Sequence, residues 1–172
     1  MSAIPVPPPQ NSDSAESLRD RIAGWLLGEG WQLAEKQHES ALWLLEASDS
    51  QGRHLVVGQR LGRADQIIFE GAVALSEPHQ RQFAALAAGE RQSILWELRF
   101  TLLALGVDFH GAQEPLTRVA VGQRIYEDGL TRDRFTQRMM QVRNAILAVL
   151  WTVARHLEPS PSAGQFGETH VH

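Results

Sequence analysis

The last regular stretch of the chain, residues 131–157, has apolar residues on two sides of one predicted helix. One stripe recurs at spacings of four and three residues and therefore lies on a single helix face: Phe135, Met139, Val142, Ile146, Val149 and Val153. The second stripe adjoins it: Met140, Leu147, Trp151 and Ala154. A protein of this size normally covers only one side of such a helix. The second stripe therefore needs a partner or an unusually deep site, and we favour an interface with a partner.

The length of the chain limits the number of domains. At 172 residues, 43% of them apolar, the chain is large enough for one good core and too small for two ordinary domains. Residues 1–12 include the run IPVPPP, which favours polyproline II, and residues 158–172 are rich in proline, serine and glycine. We predict a disordered proline-rich leader over 1–12, a single α+β domain over 13–157 and a disordered tail over 158–172.

Apolar spacing and turn residues predict the first half of the domain. A helix over roughly residues 14–28 ends at Gly28 and Gly30. Four strands follow at roughly 31–38, 41–48, 53–60 and 66–75, separated by turn residues at 39–40, 49–52 and 61–65. Connections this short join neighbouring antiparallel strands, because a parallel crossover needs about a dozen residues or more.

The second half returns to helices before the last strands. Ser76 caps a helix that reaches about Ala87, Gly89 interrupts it, and a further helix ends at Gly106. A fifth strand begins at Val107 and a sixth alternates along residues 119–125, before Thr131 caps the final helix. The predicted order is α-β-β-β-β-α-α-β-β-α. We expect a mostly antiparallel sheet of five or six strands with helices packed on one face.

Composition excludes several classes of function. The 16 basic and 20 acidic residues give a net charge of −4 and form no basic stripe, so we expect no nucleic-acid partner. The absence of cysteine excludes disulfides and thiolate metal sites. No window reaches the roughly 18 apolar residues of a membrane span, and no signal peptide is visible at the N-terminus, so we expect a cytoplasmic protein without membrane insertion.

The sequence contains no catalytic or cofactor signature. No two histidines of the predicted domain lie four residues apart as a helical zinc pair would, no G-x-S-x-G elbow occurs, and the glycines are scattered singly. We predict no metal and no cofactor. The alternative is a small enzyme whose pocket uses Arg124, Tyr126 and Glu127, just before the last helix.

Tryptophan is frequent in this chain. Most of the five residues, Trp25, Trp31, Trp43, Trp96 and Trp151, are expected in the core, because each buries a large apolar area. Trp151 lies on the second stripe of the last helix. It is our candidate for an interface anchor, and a core position remains an alternative for it.

Three segments, WELRF (96–100), GVDF (106–109) and IYEDGLT (125–131), resemble in this order a prokaryotic family classed only as a domain of unknown function. The similarity covers most of residues 15–157. It implies an α/β fold similar to that of the class I chaperones of type III secretion, which are small, acidic, cytoplasmic homodimers that hold partner segments on apolar patches. The chain departs from the chaperone pattern by an extra strand and a split middle helix. No family catalytic residues are carried over.

These observations favour a non-enzymatic protein-binding module, chaperone-like or an adaptor, that forms a homodimer through Met140, Leu147, Trp151 and Ala154. The enzyme with a pocket near Arg124, Tyr126 and Glu127 is the first alternative. A regulatory subunit of a larger complex, with the proline-rich leader as its docking peptide, is the second.

Overall fold

The structure, a computed structural model, describes residues 12–157, with side chains from residue 17 onward. The predicted tail and the predicted leader up to residue 11 lie outside this range, while Ser12 is the first helical residue. The elements are α1 (Ser12–Gly28), β1 (Gln32–Lys36), β2 (Ala41–Ser48), β3 (His54–Arg60), β4 (Arg63–Ala74), α2 (Glu77–Ala85), α3 (Ala88–Ala104), β5 (Asp108–His110), β6 (Arg118–Tyr126) and α4 (Arg132–Leu157). A single 3₁₀ turn, Glu127–Gly129, precedes α4. The predicted order of elements is confirmed.

The six strands form one antiparallel sheet in the order β1-β2-β3-β4-β6-β5. Leu45 of β2 is opposite Val57 of β3, and Val57 is opposite Phe69 of β4. All three residues are buried. This register follows from the alternation of strand side chains, because a shift by one residue would move the apolar set to the other face.

Contacts divide the chain into two compact units. Unit 1 is the chain up to Gly71 together with Val121–Arg143, and unit 2 is Ala72–Ala120 together with the chain from Asn144 onward. The chain passes from one unit to the other inside β4, β6 and α4.

In unit 1, helices α1 and the first half of α4 meet over the sheet. The ring of Phe135 in α4 lies 5.4 Å from that of Trp25 in α1 and 5.1 Å from that of Phe69 in β4. The other face of the strands is more open, since Leu42 is 41% exposed and an Arg60–Glu70 ion pair spans β3 and β4 at 2.6 Å. One face of this part of the sheet is therefore apolar and covered, as predicted.

In unit 2, the buried face of α3 consists of Ile94, Leu95, Leu98 and Leu102. Two arginines of α3 bind the segment between β5 and β6. The Nε of Arg99 donates to the carbonyl of Ala112 at 2.8 Å, and the Nε of Arg91 lies 3.2 Å from a carboxylate oxygen of Glu114. These contacts use charged side chains of α3 that would otherwise face water.

Two predicted boundaries are wrong for local reasons. The turn predicted over residues 61–65 is only Leu61–Gly62, because Gly62 adopts a φ of 78° that closes the hairpin in two residues, so β4 begins at Arg63. Gly89 does not interrupt the helices but lies in the first turn of α3. The break is at Leu86 and Ala87, which have extended backbone.

Candidate functional site

The two apolar stripes of α4 differ in how far they are buried. All six residues of the first stripe, from Phe135 to Val153, are buried. On the second stripe, Trp151 is 68% exposed, while Met140, Leu147 and Ala154 are half-buried. Leu150, which the sequence analysis did not include, adds a side chain that is 38% exposed. The described chain therefore covers the second stripe only in part and leaves Trp151 exposed.

Local sequence explains why α4 begins and ends where it does. The hydroxyl of Thr131 accepts a hydrogen bond from the backbone N–H of Arg134 at 3.2 Å, which caps the helix as predicted. Asp133 lies in the first turn, and Arg155 and His156 lie in the last turn, which complements the helix dipole. Trp151 is therefore well inside a capped helix of 26 residues rather than at a frayed end.

The outer face of α4 changes character along its length. The part in unit 1 has exposed charged residues: Arg132, Asp133, Arg134 and Arg138. Between Arg143 and Arg155, however, no residue is charged. The residues of this stretch that are not buried are Asn144, Leu147, Ala148, Leu150, Trp151 and Ala154. An exposed helix face without charge is unusual for a solvated helix and is typical of an interface.

Helix α3 presents a second exposed stripe that the sequence analysis missed. Trp96, Phe100 and Leu103 are 51%, 64% and 62% exposed and lie four and three residues apart, opposite the buried face of α3. The rings of Trp96 and Phe100 stack with centroids 5.5 Å apart, and the guanidinium of Arg99 lies 5.0 Å from the Trp96 ring. The spacing of four and three is visible in the sequence, but residues 94–105 are apolar on most sides, so the spacing does not tell which face is exposed.

The expectation that most tryptophans are in the core is wrong. Trp31 and Trp43 are buried, with exposures of 7% and 8%, and Trp25 is half-buried. Trp96 and Trp151 are exposed, and both lie on helices of unit 2. The two most exposed tryptophans therefore belong to the two exposed apolar stripes, on α3 and α4.

One carboxylate joins α3 to α4. Oε2 of Glu97 lies 2.9 Å from Nε2 of His156, and Oε1 lies 3.4 Å from Nη1 of Arg155. Glu97 directly follows Trp96, and Arg155 is one helical turn after Trp151. Trp96 and Trp151 are therefore on neighbouring helices of unit 2, and each is close in the chain to a residue of this ion-pair cluster.

The alternative catalytic residues do not form an enclosed site. Arg124, Tyr126 and Glu127 are all exposed. Asp65 raises the pKa of the neighbouring Arg63 through a hydrogen bond, and Tyr126 contributes more weakly in the same direction. An exposed arrangement of this kind does not favour the catalytic pocket, because such chemistry needs groups removed from bulk water.

The described residues offer neither a metal cluster nor a membrane-spanning helix. Within residues 12–157, no group of three or more histidine, cysteine, aspartate or glutamate side chains could hold a metal ion. None of the helices described in that range combines the length and apolarity that a bilayer crossing requires.

The described residues form an α+β chain with exposed apolar stripes on α3 and α4. A family profile matches residues 18–153, and the chain belongs to this family, which is described as an uncharacterized conserved protein, DUF2299. The resemblance to a family of unknown function is thereby confirmed. The likeness to class I type III secretion chaperones remains a prediction. No curated protein matches the chain.

Two solved structures are similar to the chain. The crystal structure of an uncharacterized protein from Methanothermobacter thermautotrophicus has 28% identity and a TM-score of 0.75, over 81% of this chain and 98% of that one. E. coli YbjN, for which a role as transcription regulator has been suggested, has 15% identity and a TM-score of 0.45, over 82% and 95% of the two chains. The first supports the fold, and the second is too distant for an argument about function.

Proposed function

We propose that this chain is a non-enzymatic protein-binding module, chaperone-like or an adaptor, that forms a homodimer through the second stripe of α4. The residues assigned to the interface are Met140, Leu147, Trp151 and Ala154. The family and its solved relative have no assigned activity, so the proposal depends on this surface. We further propose that the protein acts in the cytoplasm.

One observation supports the proposal above all others: Trp151 is 68% exposed in the middle of an uncharged helix face. Burying a tryptophan removes on the order of 150 to 250 Å² from water, and tryptophan is enriched among residues that dominate binding energy. A monomer would keep the large apolar ring system of Trp151 exposed to water. Burial against a protein partner would remove this unfavourable contact with water.

The likeness to class I chaperones is the basis for the chaperone-like part of the proposal. Those proteins hold partner segments on apolar patches, and the described surface of this chain has such patches on α3 and α4. The net charge of −4 also agrees with the acidic character of that group.

The test is the double variant Leu147→Gln and Trp151→Gln. Multi-angle light scattering after gel filtration should give the mass of a dimer for the wild type and a shift toward the monomer for the variant. The single variant Trp151→Gln tests the same point without touching the half-buried Leu147. A variant that keeps the wild-type mass contradicts the proposal.

The matched control is the double variant Leu27→Gln and Leu61→Gln. These two leucines are 59% and 61% exposed and belong to unit 1, away from the proposed interface residues in the chain. The control should keep the wild-type mass. Far-UV circular dichroism of all variants checks that the helices remain folded.

A further inference from the structure

We propose that α3 supplies the other half of the dimer surface, with Trp96, Phe100 and Leu103 packing against the α3 and α4 helices of a second copy of this chain. The inference rests on the proposed function, because it assigns a second helix to the same dimer interface. It starts from three exposed apolar side chains, 51% to 64% exposed, on one face of α3.

The charged side chains in the second and third turns of α3 are all engaged within the same chain. Arg91 pairs with Glu114, Arg99 binds the Ala112 carbonyl and stacks on Trp96, and Glu97 contacts His156 and Arg155. The exposed positions that remain from residue 92 to residue 104 are Gln92, Ser93, Trp96, Phe100, Leu103 and Ala104. These exposed residues of α3 are uncharged, as residues 144–154 of α4 are, although the Arg99 guanidinium lies beside the Trp96 ring.

The Glu97 cluster brings the two uncharged faces close together. Residues three or four apart on a helix are neighbours at about 5 to 6 Å between Cβ atoms. Phe100 is three residues after Glu97, and Trp151 is four residues before Arg155, whose guanidinium lies 3.4 Å from Glu97. The aromatic side chains of α3 and α4 thus lie within about one helical turn of a shared ion pair.

The exposed area argues for both helices rather than α4 alone. From their exposed fractions, the α4 residues offer on the order of 300 Å² of apolar surface and the two helices together on the order of 700 Å². A stable interface buries about 800 Å² per partner, whereas most crystal contacts bury less than about 400 Å² per partner. The α4 stripe alone offers less area than a standard interface, and adding α3 brings the total close to it.

The small number of unpaired charges favours a second copy as the occupant. In a two-fold symmetric dimer the same patch is used twice, so any unpaired charge on it meets the field of its own copy. Arg91 pairs with Glu114 and Arg155 with Glu97, while the Arg99 guanidinium is held by a backbone carbonyl and the Trp96 ring. The exposed residues between these side chains carry no charge, so a partner of strongly basic or acidic chemistry would find little complementary charge here.

The first experiment compares two double variants in full-length protein. Sedimentation velocity over a dilution series should give a dissociation constant at least about tenfold weaker for Trp96→Gln with Phe100→Gln, since both are exposed aromatics at the interface. The Leu27→Gln and Leu61→Gln variant should match the wild type. A wild-type constant for the α3 variant overturns the inference.

The second experiment leaves the stripe intact. The chain has no cysteine, so in the variant Ser93→Cys a maleimide can react with one thiol alone. Residue 93 is one helical turn before Trp96. We expect labelling of Ser93→Cys to slow at least about fivefold as the protein concentration rises through the dissociation constant of the dimer. The control, Ser17→Cys in α1, should label at the same rate at every concentration. A constant rate at residue 93 overturns the inference.

The outcomes separate this inference from the proposed function. If Trp151→Gln produces a monomer while the α3 variant and Ser93→Cys behave as the wild type, the dimer exists and α3 is not part of it. If the wild type itself is a monomer, both proposals are wrong. If the α3 variant remains a dimer and loses binding of a separate client protein, the stripe is a client site and the inference is wrong.

Discussion

Nε2 of His156 in α4 lies 2.9 Å from Oε2 of Glu97 in α3. A glutamate carboxylate is only an acceptor, so the histidine nitrogen is the donor in this bond. Arg155 lies on the other oxygen of the same carboxylate at 3.4 Å. The three side chains connect the two helices that present the exposed stripes.

Replacing Glu97 by Gln should lower the free energy of unfolding by about 0.5 kcal/mol, because the two side chains of the pair are 34% and 29% exposed and solvent screens their attraction. Urea unfolding followed by circular dichroism measures the change. The matched control is Glu35→Gln in β1, whose side chain is 72% exposed in its pair with Arg19 at 3.3 Å. The control should show no measurable change, and equal effects would contradict the assignment.

Asp49 holds the turn between β2 and β3. Its Oδ2 lies 2.6 Å from the guanidinium of Arg53, and its Oδ1 accepts from the backbone N–H groups of Gln51 and Arg53 at 2.9 and 3.1 Å. Burial acts to raise the pKa of Asp49, but these hydrogen bonds outweigh it and lower the pKa below its usual value.

The variant Asp49→Asn should therefore lose about 2 kcal/mol of unfolding free energy at pH 7. A lowered pKa in the folded state stabilises the protein fully above the unfolded value of about 4, and this contribution disappears as pH falls through the folded value. The difference between wild type and variant should shrink from pH 5 to pH 2.5 in urea titrations. Asp65→Asn, which removes an exposed carboxylate, controls for the change in net charge. If the difference in unfolding free energy between wild type and Asp49→Asn did not change with pH, the lowered pKa of Asp49 would not be its cause.

Gly58 allows two strands to approach closely. A Cβ atom there would lie 2.5 Å from Cδ1 of Leu44 and 2.7 Å from the carbonyl oxygen of Trp43. Gly58→Ala should destabilise the fold by about 1 to 3 kcal/mol, because the backbone oxygen cannot move as a side chain can.

The control for Gly58 is Gly24→Ala in α1, where a new Cβ would meet nothing within 4 Å. This variant should stabilise the protein by about 0.5 to 1 kcal/mol, since alanine favours a helix interior over glycine. Thermal unfolding of both variants gives the comparison, and a neutral Gly58→Ala would refute the close approach.

The amphipathic elements could be predicted from the sequence because their spacing determines which face is buried. The alternation of Ile67, Phe69 and Val73 placed β4, and the stripe from Phe135 to Val153 placed α4. Both sets are buried as predicted.

Other features could not be predicted with the same reasoning. Residues 94–105 are apolar on most sides of α3, so the spacing of apolar residues does not show that Trp96, Phe100 and Leu103 are exposed. The start of β4 depends on the hairpin formed by Leu61 and Gly62, and exposed Arg63 and Asp65 give no apolar alternation to mark the strand.

We propose that residues 13–157 unfold as one domain. The chain crosses between the two compact units three times, each time within a strand or helix, at Gly71, Ala120 and Arg143. Urea transitions followed by tryptophan fluorescence and by far-UV circular dichroism should therefore coincide. Two separate transitions would show that the units unfold independently.

The mass of the purified wild-type chain in solution is the most direct test of the account. Sedimentation equilibrium at micromolar concentration should give about 38 kDa, twice the chain mass of 19.1 kDa, because two copies cover the exposed tryptophans of α3 and α4. A mass of 19.1 kDa that does not rise with concentration would contradict the dimer.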